Sequence, residues 1–485
     1  MTGLRFPTPD LLTRLADRLG PRGFTTDPDL VDTWTTDWRD RVHGRAAALL
    51  SPANAEEVAF VLREASAAHV GIVPQGGNSS MVAGATPSAD GSQLLLSLRR
   101  MNRIRRIAPQ DNIAEAEAGV ILADLHAAAE DAGRRFPLSL AAKGSATVGG
   151  LISTNAGGTQ VLRFGTMRAL VLGLEAVLPD GSIVEGLTAL RKDNRGYDLR
   201  QLLIGAEGTL GVVTAASLKL VPAAAQRAVA WVGLEAPEQA LAILRRLEQA
   251  TGEAVESFEL VPADALDLVL RHIPDMRAPL ERRWPWNVLI EATALADAPP
   301  PDEALGLALA TAIEDGLAGD ATLAASETQA EALWALRENI SEAERIDGMA
   351  AKHDVAVPVA AMPGFMGRAR AAVEARFPGV RALAFGHLGD GNVHFNVRAP
   401  ADADDRAWFK ADGSAVTRFV HDFVAAEGGT LSAEHGIGQT KLADFIRLAE
   451  PTRLHAMRAI KQALDPAGIM NPGKLLPLAE ADAAQ

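Results

Sequence analysis

Residues 71–84 read GIVPQGGNSSMVAG, a short apolar run that enters a loop made almost entirely of small residues. An apolar run of this length is typical of a buried strand. In the loop that follows, the small side chains let several backbone N–H groups turn inward, an arrangement that cradles a pyrophosphate. The glycine spacing matches neither the Rossmann nor the Walker pattern. The stretch therefore predicts a strand followed either by an anion-binding loop of another kind or by a plain turn.

Two further segments of the same character follow. Residues 142–150 read AKGSATVGG and lead to STNAGG at residues 153–158, and residues 204–214 read IGAEGTLGVVT. Three loops that expose backbone in one region indicate a single long, extended ligand. Between the loops, strand-like runs alternate with alanine-rich amphipathic stretches, an α+β pattern. These runs are predicted as strands at 70–74, 94–98, 171–178 and 211–218 and as helices at 56–68 and 122–132.

Composition changes at residues 221–223, which read VPA, and a domain boundary is expected there. Three parts are predicted: residues 1–222, residues 223–430 as a second α+β domain, and a C-terminal segment at 431–485. Beyond the boundary, the patterns predict a strand at 229–234 and helices at 237–250, 302–317, 327–349, 404–427 and 451–464. Residues 479–485 are expected to form a frayed tail.

The overall composition is that of an ordinary globular protein. The chain has 485 residues, of which 48% are hydrophobic, and a formal net charge of −14. Such a charge argues against nucleic-acid binding, which favours a basic face. There is no cysteine, so disulfides, thiolate nucleophiles and cysteine-ligated clusters are excluded. No apolar run is long enough to span a membrane, and the first 20 residues show no signal-peptide core, so a cytoplasmic location is expected.

Histidines flank a tight turn at residues 386–397, which read GHLGDGNVHFNV. With Asp390 and Gly391 as the central residues of a two-residue hairpin turn, His387 would lie directly opposite His394. Two imidazoles so placed can reach one divalent ion. Residues 433–436, AEHG, offer a further carboxylate and imidazole, which would complete three protein ligands and leave an open position. The alternative is two strand histidines beside an unrelated turn.

The predicted helix at 327–349 carries a buried stripe in which Leu333, Leu336, Ile340 and Ala343 repeat at helical spacing. Arg337 and Ser341 lie one turn apart beside this stripe. The alternative, and the usual explanation for such residues, is a solvated charged face. Lys352 follows in an apolar-flanked run, and an arginine with a lysine can together bind a carboxylate.

The three loops, in this order, resemble the FAD-binding domain of the vanillyl-alcohol oxidase and p-cresol methylhydroxylase flavoproteins. Within that family the chain is most similar to the D-2-hydroxyacid dehydrogenases. Residues 190–205, LRKDNRGYDLRQLLIG, resemble the D-2-hydroxyglutarate dehydrogenases in particular, as do residues 386–397 and 433–438. The resemblance implies an α+β fold: a two-part FAD-binding domain, an α+β substrate (cap) domain, and a helical C-terminal segment that packs back on the flavin.

The resemblance also implies the cofactor residues. The first loop would hold the pyrophosphate, the second the ribityl and flavin side, and the third the adenosine end, while Asn471 and Lys474 would close over the isoalloxazine. Because Asn78 and Ser79 stand where some relatives have a flavin-linking histidine, non-covalent FAD is expected. The implied cofactor-binding residues in the loops are Pro74, Gly76, Gly77, Asn78, Ser79, Ser80, Gly144, Ser145, Thr147, Gly149, Gly150, Ser153, Asn155, Gly157, Glu207, Gly208, Gly211, Val212 and Val213.

The implied reaction is oxidation of a D-2-hydroxy acid to the 2-oxo acid, with hydride passing from Cα to flavin N5. A divalent metal, expected to be Zn²⁺, would be held by His387, His394 and Glu434 and would lower the hydroxyl pKa. His435 would act as general base. Adjacent residues in a regular strand point to opposite faces, so an irregular loop is expected at Glu434. The implied substrate-binding residues are Arg337, Ser341, Lys352 and Asn396.

Several alternatives stay open at this stage. The implied substrate is D-2-hydroxyglutarate, with D-malate as a further candidate. A D-lactate dehydrogenase or a glycolate oxidase subunit is the nearest competing interpretation, and a flavin-free binding subunit is a remote one. The expected electron acceptor is a soluble carrier such as an electron-transfer flavoprotein, and a homodimer is one expectation for the assembly.

Overall fold

The computed structural model describes residues 3–478, so the tail expected at 479–485 lies outside the described residues. The described chain forms two compact units. The first contains residues 3–157, 166–223 and 434–478, and the second contains residues 158–165 and 224–433. The C-terminal segment thus belongs to the same unit as the three loops. The short excursion at 158–165 was not predicted from the sequence.

The first unit contains two main sheets. The smaller sheet mixes antiparallel and parallel pairs, and the larger one is antiparallel throughout. The smaller sheet has the order Phe24–Thr25, Ala46–Leu50, Gln93–Ser97, Ile72–Gln75, and the larger has the order Ile104–Ala108, Ile113–Glu117, Val212–Lys219, Val171–Val177, Ile183–Gly186. A short pair joins Arg134–Arg135 to Val221–Pro222.

Local sequence explains the helices of this unit. In the helix Ala55–Ala68, the side chain of Asn54 caps the first turn, and His69 ends the helix in a left-handed conformation at φ 55°. Its apolar stripe packs into a core that also contains the strand Gln93–Ser97. The helices are Pro9–Leu19, Pro28–Val31, Ala55–Ala68, Leu122–Asp131, Val148–Thr154, Met167–Leu170, Leu199–Leu203, Leu442–Leu448 and Pro451–Leu464, with a 3₁₀ turn at Asp32–Trp34.

The end of the chain returns to the edge of the smaller sheet. Ile72 donates its backbone N–H to Ile469 at 2.8 Å, and Asn471 donates its own to Ile72 at 2.8 Å. Pro74, which has no N–H to donate, lies two residues further along the same outer strand, where proline is tolerated. These bonds fix the C-terminal segment beside the strand that leads into the first glycine-rich loop.

The second unit is built on one seven-stranded antiparallel sheet. Its order is Asp320–Leu323, Gln226–Leu234, Trp286–Ala294, Val255–Pro262, Arg381–His387, Asn392–Arg398, Ala350–Ala356. The helices are Val161–Phe164, Glu238–Thr251, Ala263–His272, Pro301–Glu314, Glu327–Glu338, Ile340–Asp347, Met362–Arg376 and Asp405–Ala426, with a 3₁₀ turn at Val359–Ala361. The strand at 229–234 and the helices at 237–250, 302–317 and 404–427 are confirmed within a few residues.

This unit also contains features that differ from the predictions. The single helix expected at 327–349 is two helices, because the chain breaks at Asn339 before the second one begins at Ile340. The strands Val255–Pro262 and Trp286–Ala294 were not predicted; both are buried along almost their whole length and so lack a simple alternation of polar and apolar residues. No helix in the described part of the chain is long and apolar enough to cross a bilayer.

Candidate active site

The three glycine-rich loops and the C-terminal segment meet in the first unit. A Cβ on Gly76 would lie 2.2 Å from the hydroxyl of Thr147, and one on Gly77 would lie 1.7 Å from the carbonyl oxygen of Ser145. Glycine is therefore required for the first loop to approach the second. Glu207, in the third loop, donates its backbone N–H to Ser153 at 2.8 Å. The loops are thus in contact, as a single extended ligand would require.

Backbone strain concentrates at the same positions. Asn78, Asn155, Glu207 and Asn471 all adopt the left-handed region, with φ between 42° and 52°. Each belongs to one of the four segments that were predicted to hold the cofactor. Non-glycine residues in this region are uncommon and cluster at ligand-binding sites. The strained positions therefore support a binding site where these segments meet.

Two buried amide groups are also incompletely satisfied there. In the described residues, Gln75 Oε1 and Asn471 Oδ1 are buried without a hydrogen-bond partner. The Asn471 amide nitrogen donates to the carbonyl oxygens of Gly84 and Glu207 at 2.9 and 2.7 Å. Such orphaned acceptors are expected where a ligand supplies the missing donor. The residues present therefore fit an extended ligand such as FAD.

Other predicted cofactor residues have clear packing roles. Gly211 lies against the carbonyl of Val177, where a Cβ would approach to 2.8 Å. Val212 and Val213 begin a sheet strand, paired with Val177 and Ala176. Lys474 is buried, and burial lowers its pKa to about 8. Its ammonium group donates to the carbonyl of Pro472 at 3.3 Å.

Glu207 has a role that the sequence did not reveal. Its two carboxylate oxygens accept the backbone N–H groups of Ile437 and Gly438 at 2.8 and 2.7 Å. Burial raises the pKa of Glu207, and these two hydrogen bonds oppose the rise. The carboxylate thus holds the loop that carries Glu434 and His435. In that loop, which is irregular as expected, His435 Nε2 lies 3.8 Å from Glu434 Oε1.

In the second unit, the histidine hairpin has a different register from the one predicted. His387 pairs with Asn392, and His394 lies opposite Phe385. The prediction that His387 and His394 are directly opposed is therefore wrong. The connecting loop has four residues, 388–391, instead of two: Gly391 donates its backbone N–H to the carbonyl oxygen of His387 at 3.0 Å, and the carbonyl oxygen of Gly391 accepts from Val357 at 3.1 Å.

The two imidazoles nevertheless lie together, because a shift of two residues along a strand keeps the side chain on the same face. Their ring centroids are 5.4 Å apart at an angle of 81°. Asp354 pairs with His394 across the next strand, and its Oδ1 lies 3.9 Å from the Nδ1 of His394. The face therefore presents two imidazoles with a carboxylate beside them, a donor set that suits a divalent cation.

Glu259 was also missed from the sequence, and it is the cross-strand partner of His387. Its Oε1 accepts from His387 Nδ1 at 2.5 Å, and its Oε2 accepts from Arg337 Nε at 2.8 Å. Burial alone would raise the pKa of Glu259, but the neighbouring positive charges hold it at about 2. For His387 burial lowers the pKa, and the charge of Glu259 reverses this and raises it to about 9. The sequence does contain a sign of this role: Glu259 lies within the largely apolar run 255–262, and a charge buried in such a strand requires a partner.

Three of the four predicted substrate residues contact a buried glutamate of this unit. Arg337 is buried beside Glu259, as described above. Lys352 and Asn396 are a cross-strand pair, and both contact Glu344: Lys352 Nζ lies 3.6 Å from its carboxylate, and Asn396 Nδ2 donates to it at 2.7 Å. Ser341 is exposed on the helix Ile340–Asp347. The structure thus groups Lys352 with Asn396 and separates Arg337 from Ser341 by the break at Asn339.

The chain itself leads from this polar face to the remaining predicted residues. Ala433, the last residue of the second unit, donates its backbone N–H to the carbonyl oxygen of Asp354 at 3.3 Å. Glu434 is the next residue in the sequence. Within the second unit, the polar side chains that are far apart in the sequence thus lie on one face of the sheet.

Comparison with known proteins agrees with this picture. Residues 46–186 match the FAD binding domain model, and residues 223–475 match the model of the FAD linked oxidases, C-terminal domain. D-2-hydroxyglutarate dehydrogenase, mitochondrial, from Bos taurus is 38% identical over 95% of this chain and 82% of its own length. D-2-hydroxyglutarate dehydrogenase from Xanthomonas citri pv. viticola is 36% identical over 93% of each chain. The structure of p-cresol methylhydroxylase has a TM-score of 0.75 at 13% identity, covering 96% of both chains.

The fold is therefore that of the p-cresol methylhydroxylase type, and FAD is the cofactor that the family binds. The chain belongs to the FAD-linked oxidase family, among relatives that are D-2-hydroxyglutarate dehydrogenases. The predicted family, fold class and flavin-dependent dehydrogenase activity are confirmed.

Proposed function

We propose that this enzyme oxidises D-2-hydroxyglutarate to 2-oxoglutarate, with D-malate as a further substrate, and that a divalent metal, expected to be Zn²⁺, assists. The observation that carries the proposal is the polar sheet face on which His387 and His394 lie beside carboxylates, with Arg337 and Lys352 in the same unit. The names of the relatives supply the substrate, and the cationic side chains suit its second carboxylate.

The residues have distinct roles in this proposal. His387, His394 and Glu434 hold the metal, which when bound supplies Lewis acidity to the α-hydroxyl of the substrate. His435 takes the hydroxyl proton, a role that contributes about 10²- to 10⁴-fold in rate. Bound FAD would be the oxidant that accepts the hydride leaving Cα. The loop and C-terminal residues predicted from the sequence bind it non-covalently.

Substrate recognition rests on the second carboxylate. Arg337 and Lys352 bind it, with Ser341 at its edge, while Asn396 orients the carboxylate next to the reacting carbon. Because Asn396 Nδ2 already donates to Glu344, its amide is held in a fixed orientation. We include in the proposal a cytoplasmic location, a soluble electron acceptor such as an electron-transfer flavoprotein, and a homodimer.

The decisive experiment is anaerobic bleaching of the flavin by a panel of D- and L-2-hydroxy acids, before and after treatment with EDTA. D-2-hydroxyglutarate should bleach the flavin rapidly, the L-isomer should not, and EDTA should abolish the reaction until Zn²⁺ is restored. If D-2-hydroxyglutarate still bleaches the flavin after EDTA has removed all bound metal, the proposed role of the metal is overturned. A purified protein without visible flavin absorbance would contradict the assignment as a whole.

The second carboxylate is tested by Arg337→Ala and Lys352→Ala. Each should raise the KM for D-2-hydroxyglutarate about tenfold or more, the effect of losing a charged hydrogen bond, and should reduce D-lactate turnover by a smaller factor. Arg345→Ala is a matched control, because Arg345 is exposed on a neighbouring helix and pairs with Glu342. Equal losses for both substrates would favour a D-lactate dehydrogenase or a glycolate oxidase subunit instead.

A further inference from the structure

Arg337 is linked to both imidazoles of the proposed metal site, by two separate routes. Through Glu259, which is 1% exposed, it reaches His387 by hydrogen bonds of 2.8 and 2.5 Å. Through Phe385, which is also 1% exposed, it reaches His394: the guanidinium carbon lies 5.0 Å from the ring centroid of Phe385, and the ring of His394 lies 5.1 Å from the same ring. The residues form a closed frame.

We propose that Glu259 is a positioning residue that couples metal binding to recognition of the substrate's second carboxylate. This inference rests on the proposed function. Glu259 touches neither substrate nor metal in it, and acts through His387 on one side and Arg337 on the other.

The effect on the metal follows from the two nitrogens of an imidazole. Because Nδ1 of His387 donates its hydrogen to Glu259, the lone pair of the neutral ring is left on Nε2, directed away from the carboxylate. A carboxylate in this position fixes the tautomer and orientation of a metal-binding histidine and raises its basicity. Removing such a partner typically reduces metal affinity about 10- to 100-fold.

The effect on the substrate follows from the geometry of the guanidinium group. Glu259 accepts from Nε, and the ring of Phe385 supports the guanidinium group. The two terminal nitrogens of Arg337 are thereby held in one orientation, in which they can bind a carboxylate bidentately. Because one carboxylate orients both groups, a metal that orders His387 also orders Arg337, and the coupling must be reciprocal.

The test uses flavin-loaded protein without turnover. Zn²⁺ affinity is measured by competition with a chromophoric chelator, and binding of glutarate, a dicarboxylate that cannot be oxidised, is followed by the perturbation of the flavin spectrum. In the unchanged protein, Zn²⁺ should tighten glutarate binding. In Glu259→Gln, Zn²⁺ affinity should fall about 10- to 100-fold, and glutarate affinity should no longer depend on Zn²⁺.

Glu256→Gln is a matched control. Glu256 is buried on the same strand, and its carboxylate accepts from Arg163 and Thr293. Its loss should reduce stability without changing Zn²⁺ affinity or the coupling. If Glu259→Gln does not fold, Phe385→Leu tests the second route of the same frame and should also weaken the dependence of glutarate binding on Zn²⁺.

The outcomes separate this inference from the proposed function. Unchanged Zn²⁺ affinity in folded Glu259→Gln would overturn the positioning role and leave the metal site intact. A loss of Zn²⁺ affinity with full coupling retained would overturn the link to Arg337. Absence of Zn²⁺ binding by the unchanged protein would overturn the proposed metal site itself. A loss in Glu256→Gln equal to that in Glu259→Gln would show that any buried charge on this strand has the same effect, and the inference would fail.

Discussion

Glu207 accepts the backbone N–H of Gly438 at 2.7 Å, although 231 residues separate the two in the sequence. The bond joins the third glycine-rich loop to the loop that carries Glu434 and His435. Gly438 has φ 52°, and a Cβ there would lie 2.2 Å from the carbonyl oxygen of Val82. The loop is therefore held by a buried carboxylate on one side and by close backbone packing on the other.

The substitution Glu207→Gln should lower kcat about tenfold or more while the protein retains its flavin. Glutamine has one oxygen acceptor where Glu207 has two, so one of the two backbone N–H groups faces the side-chain NH₂ group and is left unsatisfied, at a cost of about 1–3 kcal/mol. Turnover per bound flavin and the flavin absorbance per protein measure the two effects separately. Flavin loss with normal turnover per bound flavin would instead support the predicted contact with the adenosine end of FAD.

Gly391→Ala should destabilise the second unit and reduce metal uptake. Gly391 has φ 82°, and a Cβ there would lie 2.1 Å from the carbonyl oxygen of Val357, so the added methyl group must displace backbone. The left-handed conformation alone costs about 1–2 kcal/mol for an L-residue. Urea unfolding and bound Zn²⁺ per protein are the measurements; an unchanged unfolding midpoint would show that the turn can relax.

Gly306→Ala, the matched control for that variant, should stabilise the protein. Gly306 lies within the helix Pro301–Glu314, and no heavy atom lies within 4 Å of a Cβ built there. Alanine is favoured over glycine in a helix interior by about 0.5–1 kcal/mol. An increase of that size in the free energy of unfolding is expected, with activity unchanged. A decrease would contradict the open environment at this position.

Arg163→Ala should cost about 3–5 kcal/mol of stability, because it removes the arginine that pairs with the buried carboxylate of Glu256 at 2.6 Å. Arg163 belongs to the segment 158–165, and this ion pair attaches that segment to the sheet of the second unit. Arg368→Ala removes an arginine that is half exposed and pairs with Glu427, and it should cost less than about 1 kcal/mol. Similar losses of stability in the two variants would show that burial of Glu256 does not strengthen its ion pair.

Lys474 should make stability depend on pH in the alkaline range. Burial lowers the pKa of Lys474 from 10.5 to about 8. Between about pH 8 and 10.5 the unfolded chain holds a proton that the folded chain has released, so the free energy of unfolding rises with pH in this range. Below about pH 8 the cost of burying the charged ammonium group is present in full. Each unit of pKa corresponds to about 1.4 kcal/mol. In Lys474→Met, the free energy of unfolding should lose this slope; an unaltered slope would assign it to other groups.

Features that depend on neighbouring residues could be predicted from the sequence. The helix Pro451–Leu464 begins and ends where it was predicted, because Glu450 caps its first turn and proline occupies its first position. The three glycine-rich loops were identified because each is a run of small residues, and three such runs in one region favoured a ligand-binding site over three plain turns. The family followed from the order of these loops, and the matches of both domains confirm it.

The hairpin shows where such reasoning stops. Its two histidines were correctly placed on one face, since alternation along a strand is a local property. Its register was predicted wrongly because the loop is four residues long and its last residue, Gly391, accepts a hydrogen bond from Val357, which lies outside the hairpin. The break at Asn339 was missed for a similar reason. The apolar residues on either side of it keep helical spacing, so the sequence pattern does not show that one helix ends and another begins there.

The sequence by itself determined which side chains are available for chemistry: the imidazoles, the glycine loops and the cationic residues. Only the tertiary structure decided which of them act on one another. Glu259 lies 128 residues from His387 and 78 from Arg337, and it bonds to both. Burial makes such partnerships obligatory, because a carboxylate removed from water must be paired. Which distant group supplies that partner depends on how the strands are ordered in the sheet, and this order is a property of the whole fold.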